Sequence, residues 1–112
     1  MLHRTEKINE LVKKKVAEIL MRELNLKPGI FMTIAKVDTT PDLRYTRIFV
    51  SVFPENESRY VFTALEREIS RIQGQLNKAL VMKTIPRIEF RLDTTEVEAD
   101  KVEKIFQEIG DE

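Results

Sequence analysis

The segment from Phe31 to Phe53 constrains the fold most, because it reads as two β-strands joined by a polar turn. Apolar Ile48, Val50 and Val52 occupy every second position, which is typical of a strand with one buried face. The TTPD run at 39–42 predicts the turn, since proline presets a turn φ and Thr and Asp side chains bond to local backbone. A two-stranded hairpin is marginal alone in water, so we expect further strands and an apolar cover.

The first strand of this hairpin has an irregular phase. Met32 and Ile34 share one face, but Val37 falls out of step with them. Either a β-bulge corrects the register, or the strand ends near Ala35. The sequence leaves both alternatives open.

Two segments have the three-and-four spacing of amphipathic helices. The first covers about residues 4–24, and the second runs from a cap at Asn56 or Ser58 to about residue 80. Gly74 lies inside the second segment and weakens a helix by about 0.5–1 kcal/mol relative to alanine. A kink or a break near Ser70–Gly74 is therefore expected.

A third strand and a short helix complete the pattern. Ile88, Phe90 and Leu92 alternate with charged residues, and the stretch from Glu98 to Ile109 has one apolar side. A helix between the second and third strands makes those strands parallel, with a right-handed crossover. Because each strand has one apolar face, we expect an α+β two-layer sandwich with a three-stranded mixed sheet and its helices on one face.

The charge is distributed unevenly, although the chain of 112 residues is neutral overall. Residues 94–112 contain seven acidic and two basic side chains, a net charge of −5, so the rest of the chain carries +5. A basic body keeps an anionic partner possible. No apolar run is long enough to span a membrane, and the charged N-terminus is unlike a secretory signal, so we expect a cytoplasmic protein.

The residue types do not favour an enzyme. The chain has no cysteine, which excludes thiolate catalysis and cysteine-based zinc sites, and it has a single histidine, His3. Nucleophile-elbow, phosphate-loop and zinc-protease motifs are also lacking. We therefore expect no catalytic residue, metal or cofactor.

Basic residues on several elements are the candidates for RNA contact, because phosphate binding needs only well-placed Lys and Arg. A stripe on the long helix comes first, followed by residues of the hairpin and of the segment before the last strand. The candidate RNA-binding residues are Arg67, Arg71 and Lys78, then Arg44, Arg47 and Lys83. A solvated helix face is the alternative explanation of the stripe.

Aromatic residues give a rival function. No aromatic pair occupies alternate positions on an exposed strand face, so base stacking of the RNA-recognition-motif kind is not supported. Phe49 and Phe53 lie on the face opposite Ile48, where they either contact a base or a protein, or pack under the N-terminal helix or a loop. With the apolar side of the tail helix, they would suit a non-enzymatic protein–protein adaptor.

Several segments of the chain resemble the ribosome-binding factor A family. They are MTIAKVDTTPDLR at 32–44, RIFVSV at 47–52 and IPRIEFRLD at 85–93, together with the apolar spacing of the first helix. The resemblance extends to about Phe106 and implies a type II KH-like fold with a kinked long helix. The family's Ala-x-Gly kink matches Glu68–Ser70 here, which has neither Ala nor Gly, so Gly74 is the alternative kink position.

The resemblance also carries functional expectations. It implies a non-enzymatic assembly factor that binds the free or immature 30S ribosomal subunit and assists late maturation and processing of 16S rRNA, with links to cold shock. Residues 1–95 would form the KH-like domain, and residues 96–112 an acidic helix or tail of the same domain. We expect a monomer without a small-molecule substrate.

Overall fold

The computed structural model describes residues 2–94. Its elements are α1 (Leu2–Glu23), β1 (Phe31–Thr39), β2 (Tyr45–Phe53), a 3-10 turn (Glu55–Glu57), α2 (Ser58–Ala79) and β3 (Arg87–Leu92). This order confirms the two long helices and the three strands predicted from the sequence. The predicted helix at 98–109 and the acidic tail at 96–112 lie outside the described residues.

The three strands form one mixed sheet in the order β1-β2-β3. β1 pairs antiparallel with β2, and β3 pairs parallel with β2, as the crossover through α2 requires. The register of β1 shifts between Ile34 and Lys36, so that Ile34 pairs with Val50 and Val37 pairs with Ile48. The bulge alternative is therefore confirmed, and it returns Val37 to the face that Ile34 occupies.

One face of the sheet carries the core. Both helices pack on that face, with α1 against β1 and α2, and α2 against β2 and β3. The buried apolar side chains come from all of these elements and include Val12, Val16, Ile19, Ile48, Val50, Leu65, Ile72, Leu76, Ile88 and Phe90. The fold is therefore a two-layer α+β sandwich whose second sheet face is not covered by α1 or α2.

The ends and interior of α2 differ partly from the sequence prediction. Glu57 is its N-cap residue and makes no side-chain cap bond, so the predicted caps at Asn56 and Ser58 were wrong. The Ser58 hydroxyl instead donates to the Glu55 carbonyl at 2.7 Å, because the 3-10 turn leaves that carbonyl within reach. α2 continues through Gly74 without interruption, so the break alternative is excluded. A kink within the continuous helix stays a prediction.

Candidate nucleic-acid interface

A basic hollow lies where the start of α1, the β1–β2 turn and the α2–β3 loop meet. It measures about 600 Å³ and is lined by Arg4, Lys7, Ile8, Asp42, Leu43, Arg44, Val81, Met82, Lys83 and Thr84. Four of these side chains are cations and one is a carboxylate. Segments that are distant in the sequence thus place four positive charges around a single depression.

The β1–β2 turn is fixed by its own side chains. The Asp42 carboxylate accepts hydrogen bonds from the Thr40 hydroxyl at 2.6 Å and from the Arg44 backbone N–H at 3.1 Å. The Thr40 hydroxyl, followed by the Arg44 N–H, lowers the pKa of Asp42 from its usual range. Leu43 follows with a φ of 62°, a left-handed conformation uncommon for a residue with a side chain. The turn therefore holds an ionised carboxylate and the Arg44 side chain at the rim.

The start of α1 contributes cations at an unfavourable place. Its first turn has no acidic residue, and Arg4 and Lys7 are both exposed. The helix dipole is positive at this end, so a cation there costs about 0.3–1 kcal/mol and an anion would be stabilised. Within the described part of the chain, Arg4, Lys7 and Lys83 form no ion pair. These groups are available to an anionic ligand.

The structure brings together two of the six residues predicted from the sequence. Arg44 and Lys83 both line the basic hollow. Arg44 lies near Asp42, with 3.9 Å between Nε and Oδ2, and both side chains are well exposed, so this pair restrains the arginine weakly. The partners that complete the hollow, Arg4 and Lys7, were missed. The sequence signal that could have identified them is a predicted helix that begins with cations and has no acidic residue in its first turn.

The other four predicted residues lie elsewhere. Arg67, Arg71 and Lys78 are exposed on α2, and Arg47 is exposed on the uncovered sheet face. Arg71 is held by Glu23 at 3.3 Å and Glu68 at 3.6 Å, and Arg47 lies 3.9 Å from Glu89. Between residues 2 and 94, Arg67 and Lys78 have no ion pair. The six cations are thus divided among the basic hollow, α2 and the uncovered sheet face. Their role in RNA binding stays a prediction.

The surface along α2 and β3 has mixed charge. A depression of about 290 Å³ around Gly74 is lined by Ser70, Gln73, Asn77 and Arg87 among others. The neighbouring one, of about 540 Å³, contains Arg87 and Arg91 but also Glu66 and Glu89. The carboxylates offset the arginines there, so the positive charge is less concentrated than in the basic hollow.

The uncovered sheet face carries aromatic side chains. Phe31 and Phe53 are paired across β1 and β2 and are 65% and 68% exposed. The Lys36 ammonium lies 4.6 Å from the centre of the Phe49 ring. The alternative that Phe49 and Phe53 pack under the N-terminal helix is excluded. Sequence spacing could not reveal the Phe31–Phe53 pair, because it depends on the register between two strands.

The described residues contain neither a candidate metal cluster nor a candidate membrane-spanning helix. Among residues 2–94, no three His, Cys, Asp or Glu side chains are grouped closely enough to hold a metal ion. None of the described helices is long and apolar enough to span a membrane.

A family model described as ribosome-binding factor A matches residues 4–106. The chain belongs to the ribosome-binding factor A family. It is 33% identical over 113 residues to the family member of Dictyoglomus thermophilum, covering 98% of this chain and 93% of that protein. It is 31% identical over 108 residues to the member of Natranaerobius thermophilus, covering 96% and 82%.

Solved structures of family members have the same KH-like fold. The crystal structure of ribosome-binding factor A from Thermus thermophilus aligns with a TM-score of 0.66 and 22% identity, over 79% of this chain and 93% of that one. The solution structure of a putative member from Thermotoga maritima gives 0.68 and 24%, over 81% and 88%. A Thermus thermophilus homology model, fitted into a cryo-EM map of a complex of 30S with ribosome-binding factor A, gives 0.63 and 25%, over 77% and 91%.

Proposed function

We propose that this family member binds the 30S ribosomal subunit and assists late maturation of 16S rRNA, as a cytoplasmic monomer and without catalysis. The observation that carries the proposal is the family match over residues 4–106, which includes β1, β2, α2 and β3 completely. The similar Thermus thermophilus protein, represented by a homology model fitted into the map of a 30S complex, supports the same partner. A role in cold adaptation stays a prediction.

The charge of the surface suits an RNA particle. Arg4, Lys7, Arg44 and Lys83 face one depression, and Arg67 and Lys78 are further exposed cations on α2. Each phosphate contact of this kind releases counterions and makes the affinity depend on salt. Binding held by such contacts needs no nucleophile or metal.

Sedimentation with separated ribosomal subunits tests this function. We expect the protein to sediment with 30S and not with 50S subunits, and its affinity to fall steeply between about 50 and 200 mM salt. The double variant Arg67→Glu/Lys78→Glu should weaken binding about tenfold or more and reduce the salt slope by about 2. Arg59→Glu, an exposed charge reversal at the start of the same helix, is the control for the effect of one such reversal elsewhere on α2. Failure of the unmodified protein to bind 30S subunits would overturn the proposal.

The exposed Phe31–Phe53 pair favours a second candidate, the protein–protein adaptor. Within residues 2–94 these two exposed aromatic rings lie side by side, and such an apolar surface suits an apolar partner. Binding to 30S subunits that persists at high salt and is lost in Phe53→Ser would favour this candidate. Loss of binding at high salt with Phe53→Ser unaffected would favour direct RNA contact.

A further inference from the structure

We propose that the basic hollow is a subsite for a single unpaired nucleotide that is turned out of the bound RNA. The inference rests on the proposed function, since it takes RNA as the partner. It adds the kind of RNA element that the protein recognises: a bulge, loop or frayed end, and not a regular duplex.

The hollow combines positive charge with an apolar wall. Beside its cations, it is lined by Ile8, Leu43, Val81 and Met82, and the Val81 side chain is fully exposed. The phosphates of a duplex would contact the cations and leave this wall in water. A base that has left its stack has two flat apolar faces, which can pack on such a wall while its own phosphates reach the cations.

The size of the hollow fits this ligand. Its volume of about 600 Å³ lies within the range of small-molecule sites. The lining comes from a helix, a turn and a loop, so a ligand can be held from several sides. An extended helical surface such as that of a duplex would touch the rim alone.

The arrangement of charges separates the phosphate from the base. Arg4, Lys7 and Lys83 have no ion pair within the described residues, and the positive end of the α1 dipole lies beside Arg4. The Asp42 carboxylate would repel a phosphate, which directs the backbone toward these cations. Its Oδ1 already accepts two hydrogen bonds, whereas Oδ2 has, among residues 2–94, only the long, exposed ion pair with Arg44 Nε at 3.9 Å, so Oδ2 is the oxygen with more capacity left for a ligand.

The Oδ2 atom of Asp42 predicts a base preference, because its ion pair with Arg44 is long and exposed. An exocyclic amino group, as in cytosine, can donate to Asp42 Oδ2. Uracil has a single ring N–H donor between two carbonyl oxygens, and the carboxylate repels both. We therefore expect cytosine to be preferred over uracil at the unpaired position.

Fluorescence anisotropy with matched RNA hairpins tests the subsite. One hairpin has a fully paired stem, a second has a single bulged cytosine, and a third has a bulged uracil. The unmodified protein should bind the cytosine bulge about tenfold more tightly than the paired stem. In Val81→Ser this ratio should fall to about twofold, because apolar contact with the base is lost while every charge is kept. Val81 is fully exposed, so the substitution is not expected to affect folding.

A second variant tests the carboxylate. Asp42→Asn can still accept the Thr40 and Arg44 hydrogen bonds, so the turn is kept, and we expect the preference for cytosine over uracil to disappear. Arg59→Gln, which removes a cation outside the hollow, should leave both ratios unchanged. Equal affinity for bulged and paired hairpins, or a Val81→Ser variant with an unchanged ratio, would overturn the subsite. The proposed binding to 30S subunits would not be affected by either result, because sedimentation tests it separately.

Discussion

A single carboxylate connects the two helices at the end of α1. Glu23 accepts hydrogen bonds from the Gln75 side-chain amide and from Arg71, whose Nη1 lies 3.3 Å from Oε2. The neighbouring Arg22 donates to the Gln75 carbonyl oxygen at 3.0 Å. The hydrogen bond from Gln75, followed by the hydrogen bond and the charge of Arg71, lowers the pKa of Glu23 below its ordinary value of 4.5.

This lowered pKa makes part of the stability depend on pH. A carboxyl group with a depressed folded-state pKa stabilises the fold above its unfolded pKa, and this contribution is lost as the pH falls through the folded value. We expect Glu23→Gln to lower the free energy of unfolding at pH 7, with the difference from the unmodified protein shrinking below about pH 4.5. Urea unfolding at pH 7 and pH 3 measures this difference. Glu10→Gln, an exposed substitution on the same helix, is the control, and a difference independent of pH would contradict the assignment.

At the scale of single residues, the sequence predicted which cations are candidates for RNA contact better than it predicted which side chains they contact. Arg44 and Lys83 were among the predicted cations and do lie together in the basic hollow. The RNA contact predicted for Arg71 stays a prediction, and its partner within the chain, Glu23, lies 48 positions away in the sequence. Such a pair depends on how α1 and α2 pack, and no local spacing contains that information.

One glutamine joins α2 to the edge of the sheet. Gln73 accepts the Ile88 backbone N–H at 2.8 Å and donates to the Pro86 carbonyl at 3.1 Å. β3 is an edge strand, and its outward backbone groups would otherwise lack partners in the sheet. The side-chain amide therefore takes the place of a fourth strand at this position.

Removing the amide should loosen the start of β3. We expect Gln73→Ala to lower the free energy of unfolding by about 1–2 kcal/mol, because two half-buried backbone groups lose their partners and water replaces them incompletely. Urea denaturation measures this loss, and amide exchange at Ile88 should become faster than in the unmodified protein. Ser70→Ala, about one helical turn earlier and exposed, should change stability by less than about 0.5 kcal/mol. Unchanged exchange at Ile88 would argue against the bridging role.

Elements were predicted well where a periodic pattern extends over many residues. The long stripes of α1 and α2 and the alternation in β2 and β3 each match the observed element. The bulge at Ala35 remained one of two alternatives, because the partner strand decides whether an out-of-phase residue is accommodated. The start of α2 was placed on the wrong caps, because a 3-10 turn precedes it and engages the Ser58 hydroxyl.

At the scale of the whole molecule, the net charge of zero is the sum of a positive and a negative part of the chain. Residues 95–112 contain seven acidic and two basic side chains, so residues 1–94 carry +5 within a chain of zero net charge. At 0.1 M salt, charges act over a screening distance of about 10 Å. Electrostatic attraction to RNA therefore depends on the summed charge within that distance. If residues 1–94 attract RNA as proposed, we expect the acidic residues 95–112 to oppose that attraction.

Removing the acidic segment tests this opposition. We expect a chain ending at Thr94 to bind a paired RNA hairpin about tenfold more tightly at about 50 mM salt, because the net charge rises to about +5. The gain should vanish at about 0.5 M salt, where screening acts over a few ångströms. A variant of all 112 residues with Glu96, Glu98 and Glu103 changed to Gln removes charge without shortening the chain. It should show part of the increase in RNA affinity. Thermal unfolding followed by circular dichroism confirms that each chain is folded, and an RNA affinity unaffected by either change at low salt would contradict the electrostatic account.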